Sequence, residues 1–417
     1  MNPSAARVPA LPLACAAFTA VMAAGACDIA DIPAGALCGL ATILYYRNNA
    51  GALRLFFGAS VLIYMCACLT APGTLGDYSL GTFTGRVTEV EVSSSSQSAI
   101  VETGGHRIRV TVTDLTPDIS PGDIVRFKAT PSPSGRYASM PYMRTSGMTE
   151  RSRRISAQAA AGSADIEIVG HTDDIYSRFH DLRRSICDAI YASALSPRAA
   201  ALLAASTLGT GDAPPDIKES YRATGLSHLL CVSGFHTGLI SALLLALTWP
   251  LRFARRGAVC RYAVAITGTW FYAGLTGFAP PVVRASVMIS VYLTAKALER
   301  TPMPLNALCV SFFILLFIDP WSLFSAGFQL SFAAVCGILL LAPKLNPFTT
   351  SRGISRRVAS LLCVPLAAML ATAPVVMVWF HRLPLLSVPV NAIATLIFPV
   401  FMGAGALSVI FPALAPI

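Results

Sequence analysis

The stretch GLSHLLCVSGFHTGLI, Gly225 to Ile240, opens a long apolar run yet carries two histidines, three hydroxyl side chains, a cysteine and three glycines. Residues of these types invite hydrolysis, metal binding or conduction. Ser233 and His236 are three apart, the spacing of neighbours on a helix, as an intramembrane serine hydrolase would need. No acid lies within one or two turns to orient the histidine, which weakens that reading. His228 and His236 are eight apart, about 80° around an ideal helix, with no carboxylate or third histidine beside them. All six histidines are scattered, without HxH or HExxH spacing, so no common metal site is expected. Nor is there a GxxxxGK[ST] loop, and no cofactor is called for. What remains is a strip of Ser227, His228, Ser233, His236 and Thr237, with Gly225, Gly234 and Gly238 permitting close backbone approach. Helix packing and the lining of a conduction path both fit it.

Other polar residues interrupt apolar runs. A charge at mid-span costs roughly 2.5–3.5 kcal/mol on insertion scales, which makes Arg284 in PPVVRASVM the leading case. It lies near the end of its run, so it either snorkels to the interface or faces a pathway, where a fixed guanidinium suits a passing phosphate. Gln329 in GFQLSF must hydrogen-bond something, by bridging two helices or by lining a pore. Asn306 and Asn391 favour packing.

The elements that position these groups belong to a membrane. The chain is 54% hydrophobic and only 12% charged, against about 25% charged in soluble domains. Runs of bilayer-crossing length, about 17 to 25 residues, recur: three in the first 75 residues and about seven after residue 225. The first is followed by two more and by only a weak cleavage-site match at Ala24-Gly25-Ala26, so it is no simple signal peptide. The net charge of +10 is not an electrostatic footprint for nucleic acid. Between Pro72 and Ile186, 13 Arg/Lys face 13 Asp/Glu, and the surplus sits in short loops, as the positive-inside rule requires. Arg7, Arg47 and Arg54, then Arg252 to Arg261, Lys296 and Lys344, fall inside, with Asp28, Asp31, Arg284, Asp319 and Arg382 outside. The N-terminus is thus expected in the cytoplasm and the 72–186 segment outside. None of the eleven cysteines lies in that segment, so they read as packing residues rather than disulfides.

Four parts follow. Residues 1–71 carry about three membrane helices. Residues 72–170 hold GRVTEVEV, AIVETGGHRIRVTVTDL and DIVRFKAT, whose period-two alternation marks half-buried strands. Four or five short strands suggest a small antiparallel barrel of OB-like size, with Pro131–Ala164 as an irregular tail. Residues 171–198 form an amphipathic linker helix with an apolar face and Arg178, Arg183 and Arg184 on another. Residues 199–417 form the main membrane domain, broken by Gly and Pro as helices lining a cavity are. The fold class expected is a polytopic α-helical membrane protein of about ten spans with an inserted OB-like β-barrel.

At this point the residues resemble a family. GLSHLLCVSGFHTGL is similar to the signature of the ComEC competence proteins, close to GLxHLLAISGLHVGL, with Cys231 and Phe235 as mild apolar departures. LLAASTLGTGD, LTGFAPPVVRASVM and NALCVSFFILLFIDPWSLFSAGFQLSFAAV resemble further family segments in the same order. The resemblance implies an inner (plasma) membrane channel importing single-stranded DNA during natural transformation. It implies an external OB-like domain, and as partners membrane lipids, a separate cytoplasmic ATP-driven motor and an external DNA-delivery protein. Carried over by position, the pathway candidates are His228, Ser233, Gly234, His236, Gly238, Arg284, Gln329 and Ser331, with Asp319 beside them. On the β domain, Arg107, Arg109, Arg126 and Lys128 are the DNA-contact candidates, although that segment is charge-balanced and poor in the aromatics that stack single strands. Many members end in a metallo-β-lactamase-like domain. No HxHxDH motif occurs here, so no nuclease role is carried over and the sequence reads as a short or truncated form. Alternatives kept open are a lipid or small-solute transporter and, further off, an intramembrane hydrolase.

Overall fold

The computed structural model describes residues 10–24, 38–43, 50–70, 79–92, 96–113, 119–133, 149–150, 152–172, 174–193, 195–210, 213–298, 303–346, 354–381 and 386–410. Arg7, Asp28, Asp31, Arg47 and Arg382, which set the expected orientation, lie outside them. The described chain is mostly helical with one mixed sheet. It divides into two compact units: Ala16–Asp181 with Leu316–Ser325, and Met1–Cys15 with Leu182–Leu315 and Ala326–Ile417. No disulfide joins the ten cysteines among the described residues.

In the first unit the alternating stretches form strands. β1 (Gly81–Val92), β2 (Gln97–Thr103) and β3 (His106–Val112) make an antiparallel meander. The turn from β2 to β3 is Gly104-Gly105, with φ of 54° and 80°, a left-handed conformation that glycine adopts without steric penalty. β4 (Asp123–Ala129) pairs with β1, and β7 (Ile166–His171) with β4. β6 (Ile155–Ala161) runs parallel to β3, and the two-residue β5 (Ser132–Pro133) pairs with β6. The order is β5-β6-β3-β2-β1-β4-β7, and no ladder between its ends closes it among the described residues. Val87, Val101, Ile108, Val110, Val125 and Phe127 are fully buried on one face. Phe83 stacks on Phe127 at 5.5 Å, and burying such a side chain stabilises by about 1.5–3 kcal/mol.

The supposed irregular tail, Pro131–Ala164, is corrected in part. It contains β5, β6 and the start of the short 3-10 turn Ser163–Asp165. ISAQAAA lacks the large apolar alternation that marks a strand, and alanine is a weak strand former. Ala157, Ala159 and Ala161 are nevertheless buried in the sheet core. Residues 134–148 lie outside the described ones. Helix α1 is Leu11–Ala24 and α2 Ala50–Leu69.

The linker helix is α3 (Ile175–Tyr191). Asp174 caps it, accepting from the Tyr176 and Ser177 amides at 2.9 and 3.0 Å and pairing with Arg86 of β1. In the second unit α4 (Pro197–Leu208), α5 (Pro215–Ala223), α6 (Ser227–Leu230), α7 (Gly234–Leu247), α8 (Gly257–Leu275), α9 (Pro280–Ala297) and α10 (Pro304–Ile318) follow. α11 (Ala326–Leu340), α12 (Ala342–Leu345), α13 (Ile354–Phe380) and α14 (Ser387–Ile410) complete the chain. α7, α8 and α9 pack together, as do α11 and α13. At Gly337 an added Cβ would stand 2.4 Å from Ala371 Cβ and 2.7 Å from the Ala367 carbonyl oxygen, so only glycine lets α11 and α13 approach this closely.

Among the described residues three helices are long and apolar enough to cross a bilayer: Gly51–Leu69, Ala359–Phe380 and Ser387–Val409. The apolar helices α7, α10 and α11 have 14 or 15 residues. At about 1.5 Å per residue they reach roughly 21–23 Å, short of a hydrocarbon core of about 30 Å. Interruptions such as Asp319-Pro320 between α10 and α11 break the apolar runs into these shorter pieces.

Candidate functional site

Gly225–Ile240 is not one continuous helix. Gly225, at φ 76°, ends the segment after α5. The single turn α6 follows, Cys231 is extended, and Ser233 (φ −130°, ψ 171°) is the N-cap of α7. His236 takes the third helical position, where a capping box uses Glu or Gln. The Ser233 amide donates to His236 Nδ1 at 3.1 Å, and Ser233 Oγ lies 2.8 Å from the same nitrogen. An amide N–H only donates, so Nδ1 is the acceptor and the neutral ring carries its proton on Nε2. His236 is fully buried, its ring at right angles to Phe398 with centroids 5.0 Å apart, and Nε2 has no hydrogen-bond partner among the described residues. His228 is exposed on α6. The Ser233 amide shares the Nδ1 lone pair with Ser233 Oγ, which weakens that nitrogen as a hydrolytic base. No carboxylate touches the ring among the described residues, so the pair is a cap.

The stretches quoted for the resemblance converge in this unit. Tyr272 near the end of α8 donates to the Thr207 carbonyl of α4 at 2.8 Å. A Cβ on Gly209 would stand 3.0 Å from Val232, just before Ser233. Gly277 and Phe278, at φ 68° and 54°, turn α8 into α9. For phenylalanine this left-handed conformation costs about 1–2 kcal/mol, and the ring packs against the buried cluster of Val232, Tyr272, Ala273 and Val282.

Arg284 lies in α9 just beyond its first turn and is 5% exposed. It donates to the Gly327 carbonyl at 2.9 Å. Among the described residues no carboxylate pairs with it, and its Nε has no partner. Snorkelling is therefore excluded: the guanidinium points into protein. A guanidinium has five N–H donors, and leaving such a group buried without a counter-charge is expensive. Gly327 makes room for it, since a Cβ there would lie 3.3 Å from the guanidinium. A Cβ on Gly234 would meet Ala285 Cβ at 3.4 Å. The first turns of α7 and α11 thus meet α9 beside Arg284, and each helix presents its positive end. From Gly225 to Leu298 the sequence contains no Asp or Glu. This arrangement can hold an anion, a phosphate above all.

Gln329 on α11 accepts from Trp379 Nε1 of α13 at 2.9 Å, bridging two helices. Ser331 is half-buried on α11. Gly238 permits no close approach, since a Cβ there would meet nothing within 4 Å. Asn306 Oδ1 accepts from the Ala10 amide at 2.8 Å. In the sheet unit, Asp319 pairs with Arg154 at 2.7 Å. Arg107 and Arg109 on β3, and Arg126 and Lys128 on β4, alternate with buried core residues and so share the sheet's outward face. Two strands, β2 and β1, separate the pairs. Glu102 stands opposite Arg107 and Glu167 opposite Arg126, the latter pair at 3.8 Å. The four do not form one basic row. Sequence reasoning missed Tyr272, Phe398 and the capping role of Ser233; only the Ser-x-x-His spacing before an apolar run hinted at the last. Among the described residues no cluster of His, Cys, Asp or Glu fits a metal.

A family model described as "Competence protein" matches residues 208–417, half of the chain. ComE operon protein 3 of Bacillus subtilis is 33% identical over 200 residues, 48% of this chain and 25% of that protein. Recombination protein 2 of Haemophilus influenzae is 32% identical over 138 residues, 31% of this chain and 17% of the relative. Competence protein ComA of Neisseria gonorrhoeae is 28% identical over 187 residues, 43% of this chain and 26% of the relative. The matched segment thus spans about a quarter or less of these relatives. No solved structure matches the chain.

Proposed function

The chain belongs to the competence protein family, and on that premise we propose that it forms an inner-membrane pathway through which single-stranded DNA is imported during natural transformation. The observation that carries this reading is Arg284, 5% exposed and without a carboxylate partner among the described residues. A passing phosphodiester supplies the missing acceptor. One such contact at a time favours entry without preventing exit, the balance a conduction path needs. His236, Ser233 and Gly234 fix the start of α7 beside it, and Gln329 and Ser331 belong to the helix that carries Gly327. His228 and Gly238 extend the path along the same segment.

The chain is a multi-pass protein of the plasma membrane with about ten spans, its N-terminus cytoplasmic and its sheet unit outside. The meander β1-β2-β3, the parallel β3–β6 pair and the antiparallel β1–β4 pair support an OB-like fold for that unit. It serves as a collar and weak guide, with Arg107, Arg109, Arg126 and Lys128 touching phosphates in passing. DNA arrives from an external delivery protein, and a separate cytoplasmic ATP-driven motor draws it in. The role is transport rather than catalysis.

The test is transformation of a strain lacking this chain, complemented with wild type or Arg284→Gln at matched protein level. Glutamine keeps a donor for the Gly327 carbonyl but removes the charge. Lost transformation with the deletion and with Arg284→Gln supports the reading; unchanged transformation in the deletion strain overturns it.

A further inference from the structure

The ends of α7, α9 and α11 away from Arg284 part around an open groove of about 340 Å³, near the lower size of small-ligand sites, roughly 300–1,000 Å³. Its walls are Gly238 and Leu245 of α7, Ile289 and Leu293 of α9, Leu308 of α10 and Leu339 of α11, and only Ser241 and Tyr292 among its lining residues carry a hydroxyl. The lining residues of α7 and α9 begin near the middle of those helices and continue toward their C-terminal ends, those of α11 come from its later half, and those of α10 from its first turns. All four helices therefore place the groove at one level.

Cations and aromatic rings mark that level. Lys296 follows Tyr292 and Leu293 by four and three residues, on the same face of α9. It is exposed, and its ammonium lies 4.9 Å from the Tyr292 ring centroid. Arg261 of α8 donates to the carbonyl of Leu245, a groove residue, at 2.9 Å. Just past α7, Arg252 lies 4.6 Å from the Trp249 ring centroid and 4.9 Å from that of Phe253, with both rings exposed. Exposed tryptophan with Arg and Lys is the composition of a membrane–water interface, and no acidic residue occurs from Gly225 to Leu298 to neutralise these cations. Basic pockets between helices at a membrane interface bind anionic headgroups.

We propose that this groove holds one acyl chain of an anionic phospholipid, with the headgroup phosphate on Lys296. The ligand is a lipid of the surrounding leaflet. The groove supplies an apolar slot for the chain, and the cations supply the charge preference. This site shares Gly238 with the proposed DNA path but does not rest on that reading, and its test measures lipid alone.

The full chain, purified in detergent, is offered equimolar phosphatidylglycerol and phosphatidylcholine, and retained lipid is counted by native mass spectrometry. One phosphatidylglycerol per chain is expected to survive conditions that strip phosphatidylcholine. Lys296→Glu is expected to lower that preference about tenfold, from the loss and reversal of one interfacial charge. Ala242→Phe, which fills the groove from α7, is expected to remove the retained lipid with the melting temperature unchanged; Ala242→Leu provides a milder version should the larger ring prevent folding. Equal retention of the two lipids leaves annular lipid only and overturns the site. Sensitivity to Lys296→Glu without sensitivity to either Ala242 variant leaves surface charge only, and overturns the groove. A second copy of the chain in place of lipid in the spectrum also overturns it.

Discussion

Arg126 on β4 stands half-exposed with Glu167 across the ladder, whereas Arg284 on α9 is buried against a neutral carbonyl. Both are arginines in a chain of positive net charge, yet their circumstances differ in the term that matters for binding. On the sheet, outward cations alternate with carboxylates, and water screens what remains. Among the helices the cation has already lost its water, and no carboxylate among the described residues supplies the charge it lacks. Exposed basic residues on a sheet are poor evidence for a nucleic-acid site; a desolvated guanidinium with an unpartnered Nε is better evidence.

That contrast can be broken by substitution. Arg284→Gln removes a charge-assisted hydrogen bond worth about 1.5–3 kcal/mol, so transformants per cell fall roughly 10- to 150-fold at equal protein level. Arg284→Lys keeps the charge but not the fork geometry and falls less. If glutamine transforms like wild type, Arg284 is a tie between helices and nothing more. Ser233→Ala loses an N-cap, about 1 kcal/mol of stability, read as a lower melting temperature, while transformation stays within about twofold. A collapse of transformation in a stable Ser233→Ala protein would restore the hydrolase. On the sheet, Arg126→Ala with Lys128→Ala lowers uptake only about two- to fivefold, since exposed charges each contribute about 0–1 kcal/mol. A loss as large as that of Arg284→Gln would erase the distinction between the two regions.

The smallest expected effect is a pH dependence in the sheet unit. The Ser177 amide, with the Arg86 guanidinium and the Tyr176 amide, holds the Asp174 carboxyl below its usual range, although partial burial acts the other way. A carboxyl lowered on folding contributes stability that is complete above its unfolded value, about 3.9, and is lost as pH falls through the folded value. The melting temperature is therefore flat from neutral pH down to about 5 and drops below about 4. Asp174→Asn lowers it at neutral pH and flattens the acid limb.

β1 to β4 were legible because large apolar residues alternate with polar ones. β6 was not, because alanines carry its buried face and its partner residues on β3 lie 48 or 49 positions earlier. Arg284 was legible from type and position alone; that it has no carboxylate partner was not, since that depends on α11 arriving at Gly327. His236 gave the opposite lesson. Its spacing from Ser233 matched catalysis and capping equally, and only the Ser233 amide at Nδ1 separates them. Gly238 looked like a packing glycine but borders open space, because the neighbouring helices diverge there.

The most direct measurement places a diazirine-bearing residue at Ala285, beside Arg284, or at Lys128 on the sheet, and irradiates cells during uptake of labelled DNA. The account predicts that the incoming single strand crosslinks strongly at 285 and weakly at 128. Crosslinking at 128 alone, or none at 285 in cells that transform normally, contradicts it.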